Sequence, residues 1–179
     1  MKIFVAGTWS KKKALKFAEV AYSLGRQIAE KEHDLICGPG TGIAEHVVSG
    51  FRSVENRKGK ITFYLPNRYE MEKVGEVVGE GADFIIETDY DYPMRNIFQI
   101  RKSEAVFILT GGDGTLEEAI VALADYNLPV AAYKNSGVAI DALEMLLPLF
   151  PFWTRFLKIG DDVTVLLEHI SRPLPPKVN

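Results

Sequence analysis

Ala105-Val-Phe-Ile-Leu-Thr-Gly-Gly-Asp-Gly-Thr-Leu-Glu-Glu118 is the stretch that decides how this chain folds. Ala105 to Leu109 is an apolar run of strand type, glycines follow, and a helical pattern begins at once. Strand, tight turn and helix N-terminus in that order leave backbone N–H groups free to meet an anion. Gly111, Gly112 and Gly114 allow positive φ angles and remove the Cβ atoms that would hold a ligand's oxygens away from the backbone. Thr115 can cap the helix and offer a hydroxyl, and Glu118, three residues on, shares its face. A capping box would account for Thr115 and Glu118. It would not account for three glycines in four positions, and a phosphate-bearing ligand is the first expectation.

Outward from this segment the chain alternates strand and helix patterns. Ile3 to Ala6, Leu35 to Cys37, Ile61 to Leu65, Phe84 to Glu87, Pro129 to Tyr133 and Leu157 to Ile159 read as strands. Helical spacing joins Phe17, Val20, Leu24 and Ile28, then Val47, Val48 and Phe51. Further helices are expected from Pro93 to Lys102, through Ala124, from Ile140 to Leu147 and from Asp161 to Ile170. Arg68 to Gly81, charged and weakly periodic, reads as a loop with a short helix. The alternation predicts an α/β fold in three layers, a parallel sheet with helices on both faces. One domain spans 1–170, and 171–179, with three prolines, is expected to be a disordered tail.

Composition narrows the function. The chain has 179 residues, 21 Lys and Arg against 24 Asp and Glu, and a formal charge of −3. That balance suits one globular domain and argues against nucleic-acid binding, which needs a basic field. Lys11 to Lys13 is the solvated start of a helix. A single cysteine, Cys37, excludes an internal disulfide and reads as a buried strand residue. No metal site and no cofactor are expected. Ile3 to Ala6 is too short for a signal-peptide core, and Ala139 to Trp153 is interrupted by Asp141, Glu144, Pro148 and Pro151, so no membrane segment is expected and a cytoplasmic protein is the default.

Ligands of parallel α/β sheets bind at the carboxyl ends of the strands. That rule gathers three turns on one edge: Gly7 and Thr8, then Gly38, Gly40, Thr41 and Gly42, then Gly111, Gly112, Asp113, Gly114 and Thr115. A dinucleotide is disfavoured, because the third strand ends in Leu65-Pro-Asn67 where an acidic ribose ligand would stand. Arg95 opens the helix before the glycine strand and is placed for a phosphate or a leaving group. Gln99 and Lys102, on its stripe, are read as solvated, and the opposite face carries Met94, Ile97 and Phe98. Trp9, Tyr64, Arg68 and the loop to Gly81 are the expected walls.

Gly7-Thr8, the Gly38 to Gly42 turn, Arg95 and Thr110-Gly-Gly-Asp-Gly-Thr-Leu-Glu-Glu118 together resemble the LONELY GUY (LOG) family, long labelled lysine decarboxylase-like and part of a wider Rossmann-like nucleotide-binding superfamily. The resemblance runs from residue 3 to about residue 170. It implies hydrolysis of the N-glycosidic bond of a nucleoside 5′-monophosphate, releasing free base and ribose 5-phosphate, with Arg95 and Glu118 as the essential pair. It also implies a homodimer. Two departures stand out. Thr110 replaces the proline of the family's PGGxGTxxE signature, and Tyr92-Pro-Met-Arg-Asn96 replaces Met-His-Glu-Arg-Lys, so a lysine becomes Asn96. An Arg-Asn pair there is similar to the branch that includes molybdenum-cofactor carrier proteins. That similarity implies the alternative, a carrier or sensor that holds a phosphorylated pterin or nucleotide without cleaving it. The motif GGDGT also occurs in NAD and diacylglycerol kinases, but those continue into a large β-rich domain, and here strand and helix alternate instead.

Overall fold

Strand and helix alternate along the residues that the computed structural model describes, 1–172. β1 (Lys2–Gly7) leads through α1 (Lys11–Ala14), a 3₁₀ turn (Leu15–Phe17) and α2 (Ala18–Glu30) to β2 (Asp34–Cys37). There follow α3 (Ile43–Arg52), β3 (Ile61–Leu65), α4 (Arg68–Val74), β4 (Phe84–Glu87), α5 (Tyr92–Arg101) and β5 (Ala105–Leu109). The chain continues through α6 (Asp113–Ala124), β6 (Val130–Tyr133), α7 (Val138–Leu146), two 3₁₀ turns (Leu147–Leu149, Pro151–Arg155), β7 (Leu157–Gly160) and α8 (Val163–Ser171).

Every strand expected from the sequence is present. The short helix expected within 68–81 is α4, started by Asn67, whose side chain accepts from the Glu70 N–H. The two 3₁₀ turns were not legible; each has a proline at one of its first two positions, which interrupts α-helical pairing. Of the expected tail, Ser171 closes α8, while 173–179 lie outside the described residues.

All six strand pairings are parallel, in the order β4-β3-β2-β1-β5-β6-β7. The fold is a three-layer, Rossmann-like α/β sandwich. Period-two alternation sends Ile3, Val5, Phe107 and Leu109 to one core with α2, α3 and α8, and Phe4, Ala6, Val106 and Ile108 to the other with α5, α6 and α7. Central strands covered on both faces must be apolar at every position, which is why β5 is buried throughout. Cys37 is buried as expected, and burial pushes its thiol up. β4 differs: as the edge strand it leaves Phe84, Ile85 and Ile86 exposed. Among the described residues no helix is long and apolar enough to cross a membrane.

α2 and α3 press backbone to backbone. A Cβ on Gly25 would lie 1.8 Å from Val47 O, and one on Gly50 1.9 Å from Tyr22 O. Alanine is the better helix former by about 1 kcal/mol, but here its methyl has no space. Gly50→Ala is expected to destabilise the fold by about 1–3 kcal/mol in urea unfolding; a gain in stability would show that the two helices can separate freely.

Candidate active site

The chain builds β1 to β4 outward to one edge, then returns to place β5 beside β1. At that reversal the connections leaving β1 and β5 diverge to opposite faces, and a crevice opens beyond their carboxyl ends. The strand ends there are unusually close: Gly7 pairs with Leu109, and a Cβ on Gly7 would lie 2.3 Å from Leu109 O. A cavity of about 410 Å³ fills the crevice, within the range of small-molecule sites.

The three expected turns meet in it. Gly7 and Thr8 border it from β1, Gly38, Gly40 and Thr41 from β2, and Gly112, Asp113, Gly114 and Thr115 from the start of α6. Gly42 and Gly111 shape the wall from behind. Gly42, at φ 63°, lets the second turn press on the first, where the Ile43 N–H donates to Thr8 O at 3.0 Å. Gly111, at φ 111°, leaves room for Thr115, whose Oγ1 would stand 2.2 Å from an added Cβ. Gly112 and Gly114 face open space.

The helix start corrects one reading. α6 begins at Asp113 with Gly112 as its N-cap, and no side chain caps it, so Thr115 lies inside the first turn and no capping box forms. The first N–H groups of a helix have no intrahelical acceptor, and these open on the cavity. Thr110 is the other surprise, with φ at 69°. Its Oγ1 accepts from the Thr8 N–H at 3.1 Å, and its own N–H donates to Ser136 Oγ at 3.0 Å. A proline, held near −65°, could not take this conformation.

On α5 the reading of Gln99 as solvated is overturned. Arg95 and Gln99 are buried, whereas Met94 is exposed and Ile97 and Phe98 are only partly covered. Arg95 Nη1 donates to Gln99 Oε1 and Gln99 Nε2 donates to Glu118 Oε1, each at 3.2 Å. Asn96, its amide nitrogen turned inward, donates to the same Glu118 oxygen at 3.2 Å. Gln99 therefore stands between the two charged groups, its amide oriented by both. Arg95 Nη1 passes under Gly38, where a Cβ would lie 2.8 Å away. Its Nε is buried without a partner. Lys102 is solvated as expected, over the Phe98 ring.

Among the expected walls, Trp9 borders the cavity, but Tyr64 is packed edge-on against Phe98 and Arg68 is exposed on α4. From the expected loop to Gly81, Val74 and Glu76 border the cavity, and Tyr92 joins them from α5. Tyr92 OH donates to Glu76 Oε2 at 2.5 Å, Thr41 Oγ1 donates to Glu76 Oε1 at 3.1 Å, and the Arg95 guanidinium lies over the Tyr92 ring.

Burial pushes the Glu118 carboxyl from 4.5 up to about 7, against the Arg95 charge, which pulls it down. Burial also lowers Arg95, opposed by Glu118 and Glu76. The folded chain thus holds the Glu118 proton more tightly than the unfolded chain does. Its stabilising contribution is full below about pH 4.5 and is lost as pH rises through 7. Glutamine cannot titrate, so Glu118→Gln should gain on the parent by about 2 kcal/mol in urea unfolding between pH 5 and pH 8. Parallel pH dependences would show that the carboxyl is ionised throughout.

Comparison with known proteins follows the same lines. The model of the SLOG cluster4 family matches residues 1–145. An uncharacterized protein of Archaeoglobus fulgidus is 32% identical over 106 residues, 59% of this chain and 64% of its own. A probable cytokinin riboside 5′-monophosphate phosphoribohydrolase of Oryza sativa subsp. japonica is 31% identical over 127 residues, 68% of this chain and 52% of its own. The chain spans about half the length of the rice relatives it matches. Among solved structures, the Moco carrier protein of Chlamydomonas reinhardtii superposes with a TM-score of 0.74 at 21% identity, over 93% of each chain. The molybdenum cofactor binding protein of Rippkaea orientalis gives 0.69 at 24% identity, over 93% of this chain and 91% of that one. Likeness at such identities is one of fold. The family rests on the match across residues 1–145, and by it this chain belongs to the SLOG cluster4 family, among the LOG-like proteins that its glycine turn resembles.

Proposed function

We propose that the protein binds a nucleoside 5′-monophosphate in this cavity and hydrolyses its N-glycosidic bond. The carrying observation is the buried Glu118 carboxylate, aligned by Gln99 and Asn96 beside Arg95 and set one helical turn beyond the uncapped start of α6. The similarity to rice proteins described as probable cytokinin riboside 5′-monophosphate phosphoribohydrolases supports the same reading.

The roles follow from charge and position. Phosphate oxygens accept from the first N–H groups of α6, where the helix dipole favours negative charge and Gly112 and Gly114 add no bulk. Asp113 serves through its N–H, since its carboxylate would repel phosphate. Ribose then lies above the first turn of α6, toward Glu118. As the C1′–N bond breaks, its electron pair leaves with the base and positive charge grows on the ribose ring. A carboxylate in a poorly solvated site stabilises that charge strongly. Water bonds to C1′, and its proton ends on the departing base. Arg95, with an unused Nε–H, neutralises charge on phosphate or base.

Incubation with a panel of nucleoside 5′-monophosphates, with chromatographic detection of base and ribose 5-phosphate, should show release that falls at least about 100-fold in Glu118→Gln. Since the ionised carboxylate is the active form, turnover should rise with pH through about 7. A second reading, a carrier of a phosphorylated pterin or nucleotide, is favoured by Asn96, which places a neutral donor on Glu118 where the LOG pattern has lysine. Ligand binding without release would select it.

A homodimer belongs to the same proposal. Phe84, Ile85 and Ile86 are exposed apolar side chains on β4, the open edge of the sheet, a surface that a second copy would cover. Light scattering should return twice the 20.0 kDa chain mass, and Ile85→Lys should return a single chain. A monomeric parent would exclude this surface as an interface.

A further inference from the structure

Glu76 borders the cavity as a hydrogen-bond acceptor held at both oxygens. Its backbone is placed by the way α4 stops. Gly75 turns to φ 68° and donates to Glu72 O at 3.2 Å, while the Glu76 N–H donates to Met71 O at 3.0 Å, the paired bonds of a Schellman turn. Its side chain is held by the Thr41 hydroxyl at one oxygen and the Tyr92 hydroxyl at the other. A carboxylate has about four acceptor positions, so two hydroxyl donors leave half of them open. Glu76 also borders a second cavity, of about 470 Å³, that adjoins the first. Trp9, 60% exposed, borders both as well. An acceptor edge and a flat aromatic face thus share the end of the site that adjoins the second cavity.

We propose that this end selects the ring of the ligand, with Glu76 accepting two N–H donors from a 2-amino-oxopyrimidine edge, as guanine and pterins present, and Trp9 supplying the stacking face. The inference rests on the reading of the cavity as a site for a phosphorylated nucleotide-like ligand and deepens it by naming the ring. Guanine sets its N1–H beside its 2-amino group, two donors in a row. Adenine sets its amino group beside N1, a lone pair that would face the carboxylate. Since a carboxylate can only accept, the adenine edge loses one bond and meets repulsion instead. A site built around a hydrogen bond rejects the analogue that cannot make it far more strongly than an apolar pocket rejects a small change of shape. Tyr92 stands where the LOG pattern has methionine, so the hydroxyl that fixes Glu76 is this chain's own.

Calorimetric titration of the Glu118→Gln protein, which leaves ligands intact, tests this with ribose 5-phosphate, GMP, IMP, AMP and neopterin monophosphate. GMP is expected to bind at least about tenfold more tightly than AMP, with IMP, which lacks the 2-amino group, between them. Adding Glu76→Gln should remove that preference and leave ribose 5-phosphate affinity unchanged. The relative affinities of GMP and neopterin monophosphate then tell a purine from a pterin as the source of the edge. Equal binding of GMP and AMP, or a preference that survives Glu76→Gln, overturns the inference while ribose 5-phosphate binding leaves the nucleotide reading in place. Failure of every phosphorylated compound to bind overturns both.

Discussion

Gly7 and Leu109 approach so closely that a side chain at position 7 would collide with the neighbouring carbonyl. That contact holds the ends of β1 and β5 together where the sheet's connections part, and the rest of the site follows from it. The turn after β5 must then rise directly into α6, which aims the helix N-terminus across the end of β1. Thr110 secures the geometry by bonding the Thr8 N–H from a left-handed backbone. The β2 turn packs on the same β1 turn through Gly42 and Ile43. Three loops from distant parts of the sequence thus enclose one volume with little freedom to drift apart.

Within that volume the fold tolerates an arrangement that opposes stability. A guanidinium and a carboxylate are buried together, and removing either charge from water is unfavourable by several kcal/mol before their attraction is counted. Gln99 lessens the penalty by bonding both, but one Arg95 nitrogen and the raised Glu118 carboxyl show that compensation is incomplete. α5 must turn its polar stripe inward to supply Arg95 and Gln99, and it leaves Met94 exposed. The imperfect helix face and the strained charges have a single origin: a site built into the wall of the core.

This explains what could be read from the sequence. Buried parallel strands are apolar at every position, so β1, β3 and β5 announced themselves, and the glycine turns marked where those strands end. Arg95 was singled out by its place near a helix start at the strand-end edge and Glu118 by the helix face it shares with Thr115, and a known pattern carries both. Gln99 was not, although it lies one helical turn from Arg95, because amphipathic reasoning sends such a stripe to solvent. The rule fails where a helix lines a polar cavity. Glu76 was hidden differently. Its contacts with Thr41 and Tyr92 span 35 and 16 residues, and no local periodicity reports a long-range hydroxyl bond.

Three departures from the LOG pattern prove to be connected by geometry. Thr110, in place of proline, anchors the β1 turn. Tyr92, in place of methionine, anchors Glu76. Asn96, in place of lysine, bonds the Glu118 oxygen that Gln99 also holds. Tyr92 and Asn96 make these bonds in the lining of the cavity and Thr110 makes its bond to Thr8 behind it, whereas Gly112 and Gly114 keep the pattern and leave their side open. Pro93 and Met94, which depart from the pattern in the same stretch, are exposed and take no part in this wall. Gly112 and Gly114 keep the LOG pattern on one side of the cavity, and Tyr92 and Asn96 depart from it on α5.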